Sequence, residues 1–309
     1  MSRASTKPTF DAAGDRPCVD LSAASLRWRG HVQDLRDFMK HASPATAREL
    51  LNERRQRHAD RRYLAAARAA DDKAPESDAE PLVTVRIATA GRIELLMERA
   101  LPSVLGQTYE NLEVLVIGDG CAQDVETAVN RIADNRVRYL NLAKHDGYPV
   151  RPSDRWLVAG SLPMNHGIEH ALGAWIAPCD DDDALTPDHV EVLLARAKDL
   201  DVEFVHSRTL LDLGDITAVI GYPKLTRGQI THGSVLYSSR LRHFRYSPRS
   251  YLLGEPFDYN LWRRFAAAGV RMGYLDRVTY IYYPASFTLE KWRSLARRQL
   301  QASHPCDPR

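Results

Sequence analysis

Hydrophobic and polar positions change their spacing near residue 80. From about Leu21 to Arg68 the apolar residues recur at helical intervals, and Ser43-Pro44 interrupts them, so the pattern predicts two helices. The following run, 69–81, is acidic, contains proline and lacks large apolar side chains, which is typical of a linker. We therefore expect residues 1–80 to form a helical extension and an acidic linker ahead of a separate domain.

Short apolar strands alternate with helical stretches after residue 81. The strands that this pattern predicts are 82–88, 112–118, 137–142, 175–179 and 202–207, with less regular ones at 216–220, 234–237, 270–275 and 278–283. Buried-type strands that alternate with helices predict an α/β, Rossmann-like fold in which helices flank a mostly parallel sheet. We expect this domain to span 81–285 and a C-terminal helix and tail to follow over 286–309.

Composition and charge narrow the class of protein. The chain has 309 residues, 44% of them hydrophobic, with 42 Lys and Arg against 40 Asp and Glu and a formal net charge of +2. This balance is typical of a globular protein and gives no sign of a nucleic-acid-binding surface. No apolar stretch approaches the roughly 20 residues that span a membrane, and the N-terminus lacks the apolar region of a secretory signal. We therefore expect a cytoplasmic protein.

Two further classes find little support in the sequence. The four cysteines are far apart and share no CxxC spacing, which argues against a zinc ribbon or a disulfide scaffold and predicts free thiols. No GxGxxG fingerprint follows the first predicted strand, so a nicotinamide-dependent dehydrogenase is disfavoured.

Four consecutive acids, Asp180 to Asp183, follow the predicted strand 175–179 and precede Thr186-Pro187. Open α/β sheets bind ligands at the carboxyl ends of their parallel strands, and convergent carboxylates are suited to hard divalent cations. The alternative is a solvated turn in which Asp183 or Asp188 caps the next helix.

A further carboxylate, Asp119, lies in the Gly118-Asp119-Gly120 turn after the strand 112–118, at the same predicted sheet edge. A carboxylate can accept the N3–H of uracil, and a cation held by other carboxylates can neutralise a diphosphate. Both functions are required of a site for a nucleotide sugar.

Two segments carry a resemblance to a known family. VTVRIATAGRIELLMERALPSVLGQTYENLEVLVIGDG and MNHGIEHALGAWIAPCDDDDALTPDHVEVLL resemble family 2 glycosyltransferases of the GT-A fold, which have a QTY-x-N-x-E stretch, an N-x-G-I-x-x-A-x-G stretch and a DxD metal motif. The segment 134–138, DNRVR, is similar to the spore-coat polysaccharide type of these transferases. The resemblance covers 82–285.

This resemblance implies a metal-dependent inverting glycosyltransferase that uses a UDP-sugar and Mn²⁺ or Mg²⁺. The acceptor would be a hydroxyl of a glycan, a lipid-linked saccharide, a peptide or a small molecule. Carried over by position, it assigns Thr89 and Arg151 to the nucleotide with Arg155 as a rival to Arg151, Asp119 to the uracil, Asp180 to the outer pair of the DxD motif, Asp181 to the neighbourhood of the ribose, and Asp182 to the metal.

The catalytic base is expected in the segment 254–262, which resembles the family's G-E-D-x-D-L-W stretch. Asp258 is preferred because it begins the predicted helix 258–268, where the helix dipole favours an ionised carboxylate. Glu255 is the rival, although Pro256 restricts it to extended backbone. The alternative for Asp258 is a simple helix cap. Thr231 to Ser234 resembles a strand on the acceptor side.

Three other functions compete with this interpretation. His166-Gly167-Ile168-Glu169-His170 fits the HxxEH pattern of zinc metallopeptidases. A nucleotidyltransferase would need a long Gly- and Lys/Arg-rich loop after the first strand, and Ala90-Gly91-Arg92 is too short for one. A non-catalytic scaffold that binds nucleotide sugars would use the N-terminal helices as its working surface. The Arg-rich faces of those helices are most simply solvated, with peripheral membrane contact as the alternative.

Overall fold

The computed structural model describes residues 16–22, 43–71 and 80–303. The first of the two predicted N-terminal helices, most of the predicted linker and the last six residues lie outside the described residues. The second predicted helix is present and spans Pro44–Asp71 (α1).

Apolar runs form the strands of one mixed sheet. The strands are Cys18–Asp20 (β1), Val83–Thr89 (β2), Leu112–Gly118 (β3), Val137–Asn141 (β4), Trp175–Asp180 (β5), Ala184–Leu185 (β6), Phe204–Asp212 (β7), Thr217–Ile220 (β8), Val235–Ser238 (β9) and Met272–Tyr282 (β10). Their order is β1-β8-β7-β9-β5-β2-β3-β4, and β10 pairs with both β6 and β7.

The strands β5, β2, β3 and β4 are parallel and confirm the predicted α/β organisation. Every residue of β3 and nearly every residue of β2 is buried, because helices cover both faces of this half of the sheet. The carboxyl ends of β2, β3 and β5 therefore meet at one edge, with Ala88 beside Asp180 and Thr89 beside Gly118.

The other half of the sheet is largely antiparallel, whereas the sequence pattern predicted a mostly parallel sheet. After β7 the chain turns back at Gly214, which has a φ of 90°, and β8 pairs antiparallel with β7. A short turn of this kind can join only antiparallel strands. β9 is antiparallel to β5 and β7, while the predicted strands 270–275 and 278–283 form the single strand β10, parallel to β7.

Helices connect the strands and pack on the sheet. The segment α2 consists of Ile93–Leu95, a π-helical turn Leu96–Ala100, and Leu101–Leu105, and the others are Gln123–Asn130 (α3), Pro152–Val158 (α4), Ser161–His170 (α5), His189–Asp199 (α6), Phe257–Ala268 (α7) and Ser286–Ser303 (α8). The helix α4 is absent from the sequence-based expectations. No helix among the described residues is long and apolar enough to cross a bilayer.

Residues before 80 contribute to the sheet as well as to a helix. β1 pairs in parallel with β8, so this part of the segment expected to be helical is a strand. The helix α1 packs on α7, where Asp60, only 2% exposed, accepts from Arg264 at 3.1 Å. Near the end of α1, Arg68 donates at 2.7 Å to the buried carboxylate of Glu203, the residue that precedes β7. Ion pairs to buried carboxylates thus join α1 to α7 and to the residue that precedes β7.

Candidate functional site

The sheet edge brings Thr89, Asp119 and the acidic cluster together, as the sequence analysis predicted. The backbone N–H of Asp119 donates to the carbonyl of Thr89 at 2.8 Å. Thr89 is buried, and its hydroxyl hydrogen-bonds to Asp181. Carboxylates from two strands therefore lie on either side of the end of β2.

The four consecutive acids have two kinds of environment. The side chains of Asp180 and Asp182 retain 31% and 19% of their exposure, whereas Asp181 and Asp183 are fully buried. Asp183 accepts hydrogen bonds from the Tyr280 hydroxyl and, at 2.8 Å, from the backbone N–H of Tyr283. Burial raises the pKa of Asp183 well above its ordinary value. This side chain joins the acidic turn to β10.

Helix capping does not account for these acids. The N-cap position of α6 is Asp188, which makes no capping hydrogen bond with its side chain. Its carboxylate instead accepts from the Thr186 hydroxyl at 2.9 Å and pairs with Arg277. Asp188 thus occupies the N-cap position, but neither it nor Asp183 caps the helix through its side chain.

Arg92 faces the acidic cluster from the start of α2. Its guanidinium forms ion pairs with both Asp181 and Asp182. Burial nevertheless raises the pKa of Asp181 to about 6. Burial, with repulsion from Asp180, also raises the pKa of Asp182. This contact could not be predicted from the sequence, because Arg92 lies in a short loop that is far from the acids along the chain.

The donor set of the acidic cluster fits a hard divalent cation. Asp180 and Asp182 present partly exposed carboxylate oxygens, which are the ligands that Mg²⁺ and Mn²⁺ prefer. Two carboxylates leave coordination positions for oxygens from a substrate. Arg99, from the π-helical turn of α2, donates to the carbonyl of Asp182 and lies 3.7 Å from the ring centroid of Tyr283.

Asp119 borders a small pocket with two aromatic neighbours. The Nε2 of His145 lies 2.7 Å from its Oδ1, and the His145 and Tyr148 rings meet edge to face at 5.1 Å. The Tyr148 hydroxyl accepts from the backbone N–H of Gly160 at 3.1 Å, and burial raises its pKa. Neither aromatic residue was singled out from the sequence, since both lie in the irregular segment before α4.

The two candidate arginines at this pocket are placed differently. Arg151 is exposed and immediately precedes α4, where its carbonyl accepts from the backbone N–H of Arg155 at 2.9 Å. The guanidinium carbon of Arg155 lies 5.6 Å from the ring centroid of Tyr148. The structure therefore brings Arg155 against the aromatic residue that borders Asp119.

A buried chain of polar groups supports Asp180 from behind. His232 Nδ1 lies 2.9 Å from Asp180 Oδ1, and its Nε2 lies 3.2 Å from the Tyr246 hydroxyl. That hydroxyl also accepts from Arg86, a fully buried arginine of β2 that donates to Tyr237 at 3.0 Å. This arrangement fixes the Asp180 carboxylate and places a positive charge behind the acidic cluster.

His232 lies in a 3₁₀ turn, His232–Ser234, that leads into β9, rather than in the strand expected for 231–234. The next residue, Gly233, has no room for a side chain, because a Cβ there would lie 2.1 Å from the ring of Tyr280. From the sequence, this segment was noted only because it resembles a strand on the acceptor side of the family. Nothing in the sequence indicated that His232 would contact Asp180.

The two candidate bases have different surroundings. Asp258 lies in the first turn of α7, half-buried, with Oδ1 accepting the Tyr259 backbone N–H at 2.7 Å. Burial raises the pKa of Asp258, whereas the charge of His232 lowers it and that of Asp180 raises it. The helix dipole was expected to favour the ionised carboxylate, and burial acts against that effect.

Glu255 is engaged elsewhere. Its Oε2 accepts from Asn260 at 2.7 Å and from Arg263 at 2.8 Å. The same two side chains contact Glu53 of α1, each at 2.7 Å. Glu255 thus belongs to the contact between α1 and α7, whereas Asp258 follows Phe257, whose ring centroid lies 5.3 Å from that of His232.

Comparisons with known proteins agree with this geometry. Residues 159–219, which include the acidic cluster, match the family described as Glycosyl transferase family 2. This stretch therefore supports the family resemblance that the sequence motifs indicate. An uncharacterized glycosyltransferase of Rickettsia felis is 30% identical over 146 residues, which are 47% of this chain and 22% of that protein. The succinoglycan biosynthesis protein ExoO of Rhizobium meliloti is 28% identical over 233 residues, 68% of this chain and 62% of that one.

Solved structures share the fold of this chain. S. aureus TarS 1–349 in complex with UDP-GlcNAc superposes with a TM-score of 0.51 at 15% identity, covering 66% of this chain and 59% of that one. The mannosyltransferase PcManGT of Pyrobaculum calidifontis, in complex with GDP-Man and Mn²⁺, gives a TM-score of 0.51 at 17% identity and covers 84% and 75%. The chain has the GT-A fold predicted from its sequence. It spans less than two thirds of the length of either curated relative, the Rickettsia felis protein or ExoO.

Proposed function

We propose that this chain is a metal-dependent, inverting glycosyltransferase that moves a sugar from a UDP-sugar to an acceptor hydroxyl. One observation carries the proposal: Thr89, Asp119 and the partly exposed pair Asp180 and Asp182 meet at one sheet edge, and Asp258 of α7 follows Phe257, whose ring packs against His232 behind Asp180. Nucleotide recognition, charge neutralisation and proton removal each have a residue of suitable chemistry within this single site.

The donor half of the proposal rests on Asp119 and its neighbours. A carboxylate accepts the N3–H of uracil, which is the one N–H donor of that base in a nucleotide. Thr89 and Asp181 would lie near the ribose, and Arg151 or Arg155 would contact the nucleotide. Of those two arginines, the contact with Tyr148 favours Arg155. The relatives leave the base open, since TarS is bound to UDP-GlcNAc and PcManGT to GDP-Man.

The acceptor half rests on Asp258. In a single displacement the acceptor oxygen attacks the anomeric carbon while Asp258 takes its proton, so the configuration at that carbon is inverted. The raised pKa of Asp258 makes it a stronger base than an exposed aspartate. A Mn²⁺ or Mg²⁺ ion held by Asp182, with Asp180, would neutralise the charge that develops on the departing UDP. His232 and the buried Arg86 behind it keep Asp180 in place.

The acceptor is proposed only as a class. A relative in Campylobacter jejuni, 26% identical over 121 residues, is named as a GalNAc(5)-diNAcBac-PP-undecaprenol β-1,3-glucosyltransferase. This likeness supports a glycan or a lipid-linked saccharide as the acceptor, and peripheral contact with a membrane would accompany a lipid-linked one.

Calorimetric titration with UDP and GDP, each with and without Mn²⁺ or Mg²⁺, tests the donor half directly. We expect UDP to bind more tightly than GDP and to require the cation. Equal affinity for the two nucleotides would contradict the role of Asp119, and binding of UDP without a cation would contradict the role of Asp182. Release of UDP from a UDP-sugar then distinguishes an enzyme from a binding scaffold.

A further inference from the structure

The helix α5 carries a second group of metal-binding side chains, apart from the acidic cluster. His166, Glu169 and His170 place one ligand atom each within 4.8 Å of one another. His166 is half-buried, and the other two are exposed. The imidazole rings lie one helical turn apart, with centroids separated by 4.2 Å.

The hydrogen bond of His170 suits metal binding. Its Nδ1 lies 2.9 Å from the backbone carbonyl of His166, so this nitrogen carries the proton and Nε2 keeps a free lone pair for a metal.

The backbone beneath these side chains is held firmly. Gly167 faces the sheet, where a Cβ would approach Ile117 to 2.8 Å, so the helix packs directly on β3. Asn165 accepts from the Tyr246 backbone N–H at 2.8 Å and donates to its carbonyl at 2.9 Å. Only the three ligand side chains would therefore lose freedom when a metal binds.

Glu169 has a competing partner. The Nε of Arg245 lies 3.6 Å from its Oε1, and the Nδ1 of His166 lies 3.9 Å from its Oε2. The Glu169 side chain is 53% exposed, so water screens both contacts. The arginine weakens the carboxylate as a metal ligand, and the imidazoles would supply most of the affinity.

We propose that His166, Glu169 and His170 form a Zn²⁺ site that is separate from the Mg²⁺ or Mn²⁺ site at the acidic cluster. Two imidazoles and one carboxylate favour Zn²⁺, whereas carboxylates alone favour Mg²⁺ and Mn²⁺. In this proposal the HxxEH pattern of residues 166–170 binds a metal, with Glu169 as a ligand. The proposed site does not include peptide hydrolysis. It does not depend on the glycosyl transfer proposed above.

Calorimetric titration of the full chain with Zn²⁺, in excess Mg²⁺ that occupies the acidic cluster, tests the site. We expect one bound equivalent, with an affinity that falls by about tenfold or more in His166→Ala and in His170→Ala, and by less in Glu169→Gln. His58→Ala is the matched control, because His58 is an exposed histidine on α1. Melting temperatures measured without Zn²⁺ show that each variant is folded.

Visible absorption of Co²⁺ bound in place of Zn²⁺ gives an independent measurement. We expect ligand-field bands in the wild-type chain and in His58→Ala, and their loss in His166→Ala and His170→Ala. Equal Zn²⁺ affinity in the wild-type chain and both histidine variants would overturn the proposal, as would complete displacement of Zn²⁺ by Mg²⁺. Neither result would bear on nucleotide binding, so this proposal and the proposed function fail separately.

Discussion

At the residue scale, Asp258 and Glu255 differ in what surrounds them, and matched substitutions separate their roles. Asp258→Asn keeps the size of the side chain and its acceptor oxygen for the Tyr259 N–H. Because the amide cannot take a proton, we expect sugar transfer to fall by about a hundredfold or more, with UDP affinity and melting temperature nearly unchanged. Initial rates and calorimetry on the same preparation measure all three quantities.

Glu255→Gln is the partner experiment. Glu255 pairs with Arg263 at the contact between α1 and α7, so its loss should lower stability while most of the transfer activity remains. Near-normal transfer by Asp258→Asn together with an inactive, folded Glu255→Gln would assign the base to Glu255 instead.

Asp182 and Asp183 are adjacent in sequence but have different environments. Asp182→Ala should abolish cation-dependent UDP binding and leave the melting temperature close to that of the wild type, because this side chain is partly exposed. Asp183→Ala should instead lower stability, since the Tyr280 hydroxyl and the Tyr283 N–H would each lose their partner at a cost of about 1–3 kcal/mol. Denaturant unfolding and calorimetry distinguish the two results, and identical behaviour would contradict the assignment of Asp182 to the metal.

At the element scale, α1 packs on α7. Leu64 of α1 is 1% exposed and packs in the same apolar cluster as Trp262 of α7. Leu64→Ala should therefore lower the free energy of unfolding by about 2–5 kcal/mol. Leu51→Ala is the control, because Leu51 is 55% exposed and its loss should cost about 0.5 kcal/mol or less. Chemical denaturation gives both values.

A truncated chain that starts at Glu80 tests whether the N-terminal segment contributes only stability. It should be less stable but should still bind UDP with its cation, because Thr89, Asp119 and the acidic cluster lie on β2, β3, β5 and the turns that follow them. A folded truncated chain that no longer binds UDP would show that the N-terminal segment completes the site.

The elements that the sequence predicted well are those whose local pattern matches their environment. The strands β2 and β3 are buried on both faces, so their unbroken apolar runs identify them within a residue or two. β1 was missed because it has three residues, of which only Val19 is buried, and it forms only by pairing with the distant β8. The helix α4 was missed because its segment, 152–158, has only seven residues, too few to show a helical repeat of apolar positions.

At the scale of the whole molecule, buried histidines make stability depend on pH. His189 is fully buried, its Nδ1 is 2.8 Å from the Thr279 hydroxyl, and burial lowers its pKa to about 4. As pH falls from about 6.5 to about 4 the unfolded chain gains a proton there that the folded chain does not, so this residue removes about 3 kcal/mol of stability over that interval. Above the pKa of about 6.5 that His189 has in the unfolded chain, this residue should cause no further change of stability with pH.

Urea unfolding at a series of pH values checks the acid dependence. His189→Gln should have a shallower fall in stability between about pH 6.5 and about pH 4, even if it is less stable at neutral pH. His58→Gln should keep the full slope, since His58 is exposed. Parallel curves for His189→Gln and the wild-type chain would contradict the prediction.

The candidate site was predictable only where its residues follow strand ends. Asp119 and the acids 180–183 come directly after apolar strands, so the rule for parallel sheets brought them together in advance. His232 and Arg92 reach the same acids through tertiary packing, and Tyr246 in turn contacts His232; no spacing along the chain indicates such contacts. The sequence also could not show which of these aspartates has the higher pKa, because the differences depend on burial and not on residue type.

The ion pairs of Arg92 with Asp181 and Asp182 have a consequence for how ligands would bind. A cation that reaches these carboxylates must exchange with a tethered guanidinium, so its measured affinity is lowered by the free energy of breaking those pairs. The released guanidinium is then available to an anion such as a diphosphate. Cation and nucleotide would thus favour each other's binding, and thermodynamic reciprocity makes the factor the same in either order of addition. The affinity of the cation measured alone would therefore be weaker than its affinity during turnover.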